Sequence, residues 1–320
     1  MLYDIIGDLH GHADALIALL AKLGYRKEIG TWRHPERMAI FVGDFVDRGP
    51  KQVETVMTVR HMVDAGSAMA VMGNHELNAI AWYLPDADNP GEFLRPHFSK
   101  KWGDKNRKQH EAFLAEVEGK PDLHKEIIDW FLTLPLWLDL PEVRVTHACW
   151  HPIFMNWLKP RLAPGNRLHE ELIPAATREP ESEAEKDTPE PTMFKAVEVL
   201  TKGIEVELPK PYSFSDKDGQ TRTRVRTRWW DDEARTYRQA ALLDEKLRRE
   251  LPDSLVPAHK RAPYTDDLPL FVGHYWENGT PTPFASNVAC VDYSVAKKGK
   301  LVAYRWQGER ALYAGGFAWV

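Results

Sequence analysis

An α/β fold is what this sequence predicts, and three observations predict it. Short apolar runs alternate with amphipathic stretches through the first third of the chain, in the order β-α-β-α-β. Each of those runs ends in a polar, glycine-bearing loop, which is where open α/β sheets place their ligands. Two later apolar runs, near residues 145 and 271, end in histidines in the same way.

Leu2–Ile6 has the length of a buried strand and is followed by Gly7-Asp8-Leu9-His10-Gly11. Ala13–Leu23 carries Leu16, Leu19, Leu20 and Leu23 at helical spacing, with Gly24 as its stop. Met38–Val42 is the second strand and opens into FVGDFVDRG, residues 41–49. Gln52–Ala65 reads as an amphipathic helix closed by Gly66, and Ala68–Met72 as a third strand ending in Gly73-Asn74-His75-Glu76. Residues 82–134 read as a largely helical insertion, with Asp122–Leu132 its clearest helix. Val143–Val145 is a strand again, running into Thr146-His147-Ala148-Cys149-Trp150-His151-Pro152. A second insertion, residues 153–265, is also expected to be largely helical, with a surface helix at Tyr237–Glu250. Within it TREPESEAEKDTPEPT, residues 177–192, reads as a solvated acidic, proline-rich linker without chemistry of its own. Leu270–Val272 ends in Gly273-His274, and Asn287–Asp292 and Lys300–Trp306 complete an antiparallel C-terminal group. The whole, residues 1–320, is expected to form one domain carrying the two insertions.

With 43% hydrophobic residues in 320, the chain can bury a sizeable core. A formal net charge of −5 argues against a broad nucleic-acid surface. No apolar run approaches the roughly 20 residues that span a bilayer, and the N-terminus lacks the basic and apolar regions of a signal peptide. Two cysteines, Cys149 and Cys290, support neither a disulfide framework nor a cysteine-rich zinc site. A soluble cytoplasmic protein is the expectation.

Taken singly, each strand-end group has an ordinary explanation: an Asx turn, a helix cap, a surface histidine. Together they do not, because five strand ends carry Asp, Asn or His, the ligand types of hard to borderline divalent metals. Asp8 and His10 alternate by two and point the same way from an extended segment, so with Asp44 they make a three-ligand site. Asn74, His147 and His274 make a second, with the two oxygens of Asp44 as the bridge. Two metals about 3.5–4 Å apart polarise a phosphoryl group and generate a bridging hydroxide for direct in-line attack. Two Asp, one Asn and three His suit manganese, and admit iron or zinc.

The ordered motifs GDLHG, GDFVDRG, GNHE, THACW and VGHYW resemble the signature of calcineurin-like metallophosphoesterases. Their form is similar to the phosphoprotein-phosphatase group, which includes bacterial symmetrical diadenosine tetraphosphatases. The resemblance is specific over residues 5–77, good at 143–152 and 269–306, and slight in the insertions. It implies a four-layer α/β/β/α sandwich with a dimetal centre at the sheet edges. It also implies that His75 is the general acid, that Asp47 orients it, and that Arg48 grips phosphate oxygens, a role suited to a planar fork of donors.

This chain has Ala148-Cys149 where eukaryotic-type members carry two glycines, which is closer to bacterial forms. For a second phosphate-binding arginine, RVRTRWWD offers Arg226 or Arg228, against the plainer reading of an exposed edge strand. His12 and His151 read as supporting or surface groups, and Cys149 lacks the partners of a nucleophile. Trp102, Trp229, Trp230 and Trp276 are candidates for a substrate mouth, although packing is the commoner use of tryptophan. The expected function is a dimetal phosphatase for a phosphomonoester, of a phosphoprotein or small molecule, or for a dinucleoside polyphosphate. The alternatives are a phosphodiesterase or nuclease of the same superfamily and a non-catalytic binding protein on this fold.

Overall fold

The computed structural model of the chain describes residues 1–180, 182–215 and 219–320. Glu181, within the expected linker, lies outside the described residues. The first sheet is built on β1 (Leu2–Ile6), which pairs in parallel with β2 (Arg37–Phe41), and β2 in parallel with β3 (Ala68–Ala70). α1 (Ala13–Leu23) and α2 (Gln52–Asp64) make the two crossovers. After α3 (Asn74–Tyr83), α4 (Gly103–Val117) and α5 (Pro121–Phe131), the chain enters a second sheet. That sheet joins β4 (Trp137–Asp139) to β5 (Arg144–Thr146) in antiparallel fashion. Two helices, α6 (Pro152–Leu158) and α7 (Met193–Lys202), precede β6 (Leu270–Val272) and β7 (Val288–Cys290), which extend it in parallel. β8 (Asp292–Tyr293), β9 (Lys300–Trp306) and β10 (Phe317–Trp319) return to the first sheet as antiparallel strands.

Alternation along the strands stacks the layers. Ile5, Ile40 and Val71 pack with Val145, Phe271 and Ala289 in one apolar layer between the sheets. Their neighbours Ile6, Ala39 and Phe41 turn outward to Leu16, Leu19, Leu20, Val56 and Val59 of α1 and α2. Leu270, Val272 and Val288 lie in the same outer core with Val197 and Leu200 of α7. The result is an α/β/β/α sandwich.

The first insertion is helical in α4 and α5 and irregular between α3 and α4. The second mixes short helices with two hairpins, pairing Glu205–Glu207 with Arg224–Arg226 and Phe214–Ser215 with Thr221–Arg222. Tyr237–Glu250 is not one helix but two short ones, Tyr237–Ala240 and Glu245–Arg249. Between them the backbone pairs outward instead, with Leu242 N–H on Arg226 O at 2.8 Å and Arg228 N–H on Ala240 O at 2.7 Å. Asp244 then caps a new start by accepting from Leu247 N–H at 3.0 Å. The expected linker is tied down as well: Asp187 accepts two bonds of 2.8 Å from Arg224 and pairs with Lys260 at 2.6 Å. Asn287–Asp292 divides between the sheets, and its first part, β7, is parallel rather than antiparallel. Among the described residues no helix is long and apolar enough to cross a membrane.

Candidate metal centre

The carboxyl ends of β1, β2, β3, β5 and β6 meet between the two sheets, and their loops are stitched together by backbone. Leu9 N–H and His10 N–H both donate to Asp44 O, at 3.0 and 2.8 Å, and Gly49 N–H donates to His10 O at 2.9 Å. Glu76, in the first turn of α3, is fully buried and accepts from Gly73, Asp44 and Phe45 N–H at 3.0, 2.8 and 2.7 Å. One side chain thereby ties the second strand's loop to the helix that carries Asn74 and His75. Gly43 is required here: its φ is 102°, and a Cβ would lie 2.6 Å from Gly73 N and 3.0 Å from His147 Nδ1.

Six non-glycine residues of this region hold left-handed backbone: His10, Asp44, Asp47, Arg48, His274 and Trp276, with φ between 43° and 75°. At ~1–2 kcal/mol each, such strain concentrates where side chains must be aimed.

Two buried groups of ligand-type side chains share Asp44: His10, Asp44 and His75 in one, and Asp44, His147 and His274 in the other. His10 Nε2 lies 3.8 Å from Asp44 Oδ2, and His147 Nε2 lies 3.4 Å from Asp44 Oδ1. His10 and His147 each give their Nδ1–H to a backbone carbonyl, Val46 O at 3.0 Å and Val42 O at 2.7 Å, leaving both Nε2 lone pairs facing inward. Asn74 Oδ1, His147 Nε2 and both nitrogens of His274 are buried without a partner among the described residues. Orphaned donor atoms of this kind, converging on one carboxylate, fit a pair of divalent cations. Asp8 borders the cluster rather than sharing its closest group, its oxygens accepting from His274 N–H at 3.2 and 3.4 Å. Asp292, a buried carboxylate in β8, stands beside it.

The electrostatics agree. Burial, then Asp292 and Asp44, push the Asp8 carboxyl well above the usual carboxylate range. Burial also raises Asp292, and with Asp44 it carries Glu76 up to about 7. At Asp44 burial acts the same way, but His147, His75 and His10 outweigh it and hold the carboxyl well below that range. His10 is drawn down to about 3 by burial and then by His75, and His274 is lowered by burial and then by Arg226. Carboxylates and imidazole nitrogens packed this closely away from water are chemistry arranged for cations.

His75 stands at the edge of the cluster, its Nε2 3.8 Å from Asp44 Oδ2 and its Nδ1 in a short hydrogen bond with Asp47. Asp47 is fully buried and is also bound by His110 Nδ1 of α4, at 2.9 Å to the same carboxylate oxygen. Its own N–H donates to Gln52 Oε1 at 2.6 Å. Arg48 is the accessible member: its guanidinium donates to His10 Nε2 at 2.8 Å and to His75 Nε2 at 3.2 Å, and stacks 4.1 Å over the Trp276 ring.

The two arginines offered by RVRTRWWD separate. Arg226 is close enough to His274 to depress its pKa, whereas Arg228 is turned to Asp231 at 2.7 Å. Trp229 and Trp230 are core residues, Trp229 giving its Nε1–H to Tyr275 Oη at 2.7 Å. His151 caps α6, accepting from Phe154 N–H at 3.3 Å, and Cys149 is fully buried with its thiol pKa raised by burial.

Sequence reasoning passed over His110, Glu76, Gln52 and Asp292. His110 falls on the buried stripe His110, Phe113, Leu114, Val117 of α4, and a histidine inside an apolar stripe was a readable signal. Asp292 interrupts an apolar run in the same manner.

The chain is 49% identical over 76 residues to the asymmetrical bis(5'-nucleosyl)-tetraphosphatase PrpE of Halalkalibacterium halodurans, which is 23% of this chain and 31% of that one. It is 30% identical over 145 residues to the symmetrical bis(5'-nucleosyl)-tetraphosphatase of Vibrio vulnificus, covering 45% of this chain and 43% of that one. The chain thus spans about a third to under a half of the length of these relatives. A solved structure described as a putative diadenosine tetraphosphatase aligns with 100% of this chain and 92% of its own, at 16% identity and a TM-score of 0.47. The model of calcineurin-like phosphoesterases matches residues 1–172, more than half of the sequence, and the chain belongs to that family.

Proposed function

We propose that this chain is a dimetal phosphatase, acting on a phosphomonoester or on the phosphoanhydride of a dinucleoside polyphosphate. The observation that carries the proposal is the sharing of Asp44 by two buried ligand groups drawn from both sheets. Asp8, His10 and Asp44 would hold one ion, and Asp44, Asn74, His147 and His274 the other, with manganese the first choice and the cytoplasm the setting. Two such ions supply Lewis acidity to a phosphoryl group and lower the pKa of the attacking water.

The chain's own residues do the rest. Arg48 reaches the cluster from the accessible side, and its fork of donors suits the free oxygens of a phosphate. Arg226 is the second arginine of this role because it lies near enough to His274 to act on it, and its pairing with Glu205 at 3.5 Å is looser than that of Arg228 with Asp231 at 2.7 Å. With Arg48 turned from Nε2 to the phosphate oxygens and the ring protonated at both nitrogens, His75 gives its Nε2 proton to the leaving oxygen, while Asp47 holds the Nδ1–H and the ring plane. His110, on the other side of Asp47, keeps that carboxylate in place. The names of the relatives, tetraphosphatases of bis(5'-nucleosyl) compounds, bring dinucleoside polyphosphates into the substrate class. We take residues 1–320 as one domain, because ligands, His110 and Arg226 come from the sandwich and from both insertions.

The test is hydrolysis of p-nitrophenyl phosphate by the purified chain with Mn²⁺. Turnover that is abolished by chelation, restored by Mn²⁺ and lost in Asp44→Asn is the expected result. A metal-replete protein inert toward p-nitrophenyl phosphate and diadenosine tetraphosphate alike would leave a binding protein as the better reading.

A further inference from the structure

A cleft of about 480 Å³ opens off the candidate metal centre at Asn74, within the range of roughly 300–1,000 Å³ usual for small-molecule sites. Asn74, Asn78 and Ala81, at i, i+4 and i+7 of α3, form one wall, and the cleft runs from there past Arg95 to Trp102 and Lys105.

Its charges are not equivalent. Arg178 pairs with Asp86 at 3.2 Å and Asp88 at 2.6 Å, Lys202 with Glu198 at 3.3 Å, and Glu179 with Lys186 at 3.4 Å. Arg95 is different: it donates to two neutral amides, Asn78 Oδ1 at 3.0 Å and Gln109 Oε1 at 2.7 Å. Its Nε is buried with no partner, and it has no carboxylate partner among the described residues. Its pKa, lowered by burial to about 10, leaves it charged at neutral pH, and Asp47 is near enough to oppose that shift. A guanidinium held by neutral amides, with Asp47 and Glu179 near but not paired with it, is suited to an anion. Farther out, Trp102 is 40% exposed, and the ammonium groups of Lys101 and Lys105 lie 4.6 and 5.2 Å from its ring centroid. An accessible indole flanked by cations suits a planar heterocycle that carries phosphate.

We propose that this cleft binds the leaving group and that the leaving group is a nucleoside polyphosphate, with Arg95 on the phosphate nearest the metals and Trp102 stacked on the base. This rests on the phosphatase reading above, but binding can be measured without turnover. The probe is ADP, titrated by calorimetry into the full chain with Mn²⁺ and into its Arg95→Gln and Trp102→Ala variants. Loss of a charge-assisted contact at Arg95 should weaken ADP by roughly 10–100-fold, and loss of the stack by about 5–100-fold. Trp102 is exposed enough that its truncation leaves the fold intact, so it decides the matter if Arg95→Gln proves unstable. Wild-type ADP affinity in Trp102→Ala, or no ADP binding by the wild type, would overturn the assignment even in an active phosphatase. An inactive protein that binds ADP and loses it in both variants would overturn the phosphatase reading and leave the cleft assigned.

Discussion

The His75 imidazole is held at both nitrogens, Nδ1 by Asp47 and Nε2 by Arg48 at 3.2 Å, and the Asp47 anchor is itself anchored. Asp47 binds His75 Nδ1, His110 also binds Asp47, and Gln52 takes the Asp47 N–H, so the ring enters the site with its Nε2 turned to Arg48 and Asp44. The proximity of that nitrogen to Asp44, 3.8 Å, also gives it the position of a ligand, and the two roles make different demands. A general acid matters in proportion to how badly the leaving oxygen needs a proton, and contributes typically ~10²–10⁴-fold where it is needed. His75→Asn should therefore depress kcat strongly on an alkyl phosphate such as phosphoserine and much less on p-nitrophenyl phosphate, with both ions retained. Asp47→Asn should show the same selectivity more weakly. An equal loss on both substrates together with loss of metal would make His75 a ligand. Of these residues His75, Asp47 and Arg48 were legible because short motifs fix their spacing. His110 stood out only as a histidine inside the apolar stripe of α4, and that its partner is Asp47, 63 positions away, no local pattern records.

Between residues and molecule stand the strand-end loops and the insertions, and they were not equally readable. β1 to β3 and their helices were legible to within two residues, because apolar period and glycine stops coincide there. The segment 237–250 was misread because its helical spacing competes with long-range pairing to Arg226 and Arg228, and the long-range bonds win. The acidic stretch 177–192 was misread because composition does not show that Asp187 will find Arg224 and Lys260. That cluster has a pH consequence. Burial would raise the Asp187 carboxyl, but Arg224 and Lys260 outweigh it and hold it at about 2, below the ~3.9 of an unfolded chain. A depressed folded pKa contributes stability that is fully present above about pH 4 and is lost as pH falls from there through about 2. The melting-temperature gap between the wild type and Asp187→Asn should thus be widest near neutrality and shrink on acidification across that window. A gap independent of pH would mean that Asp187 acts through its shape alone.

At the scale of the whole molecule, the candidate centre is where two sheets with separate hydrogen-bond ladders come into polar contact. Asp8, His10, Asp44 and Asn74 arrive from the loops of the first sheet, His147 and His274 from those of the second, and the layer between them is otherwise apolar. Carboxylates crowded there, Asp8 and Asp292 among them, have their pKa values raised by burial, so their charged forms are costly without a cation. The ions proposed for the seam would neutralise that charge and join the sheets, and they would have no comparable site in the unfolded chain. Folding should then be linked to metal: at a free ion concentration about 100 times Kd, one site adds roughly 2.7 kcal/mol to stability. In a domain of this size that is several degrees of melting temperature at least. The expected result is a melting temperature that climbs with the logarithm of Mn²⁺ concentration in the wild type and in Arg228→Ala, whose side chain is turned away to Asp231. His274→Ala removes a proposed ligand from the second sheet and His10→Ala one from the first, so each should flatten the climb, and Asp44→Asn should flatten it most because both candidate ligand groups share that carboxylate. A climb of wild-type steepness in Asp44→Asn would place the stabilising ions elsewhere on the protein and separate the two ligand groups from metal binding altogether.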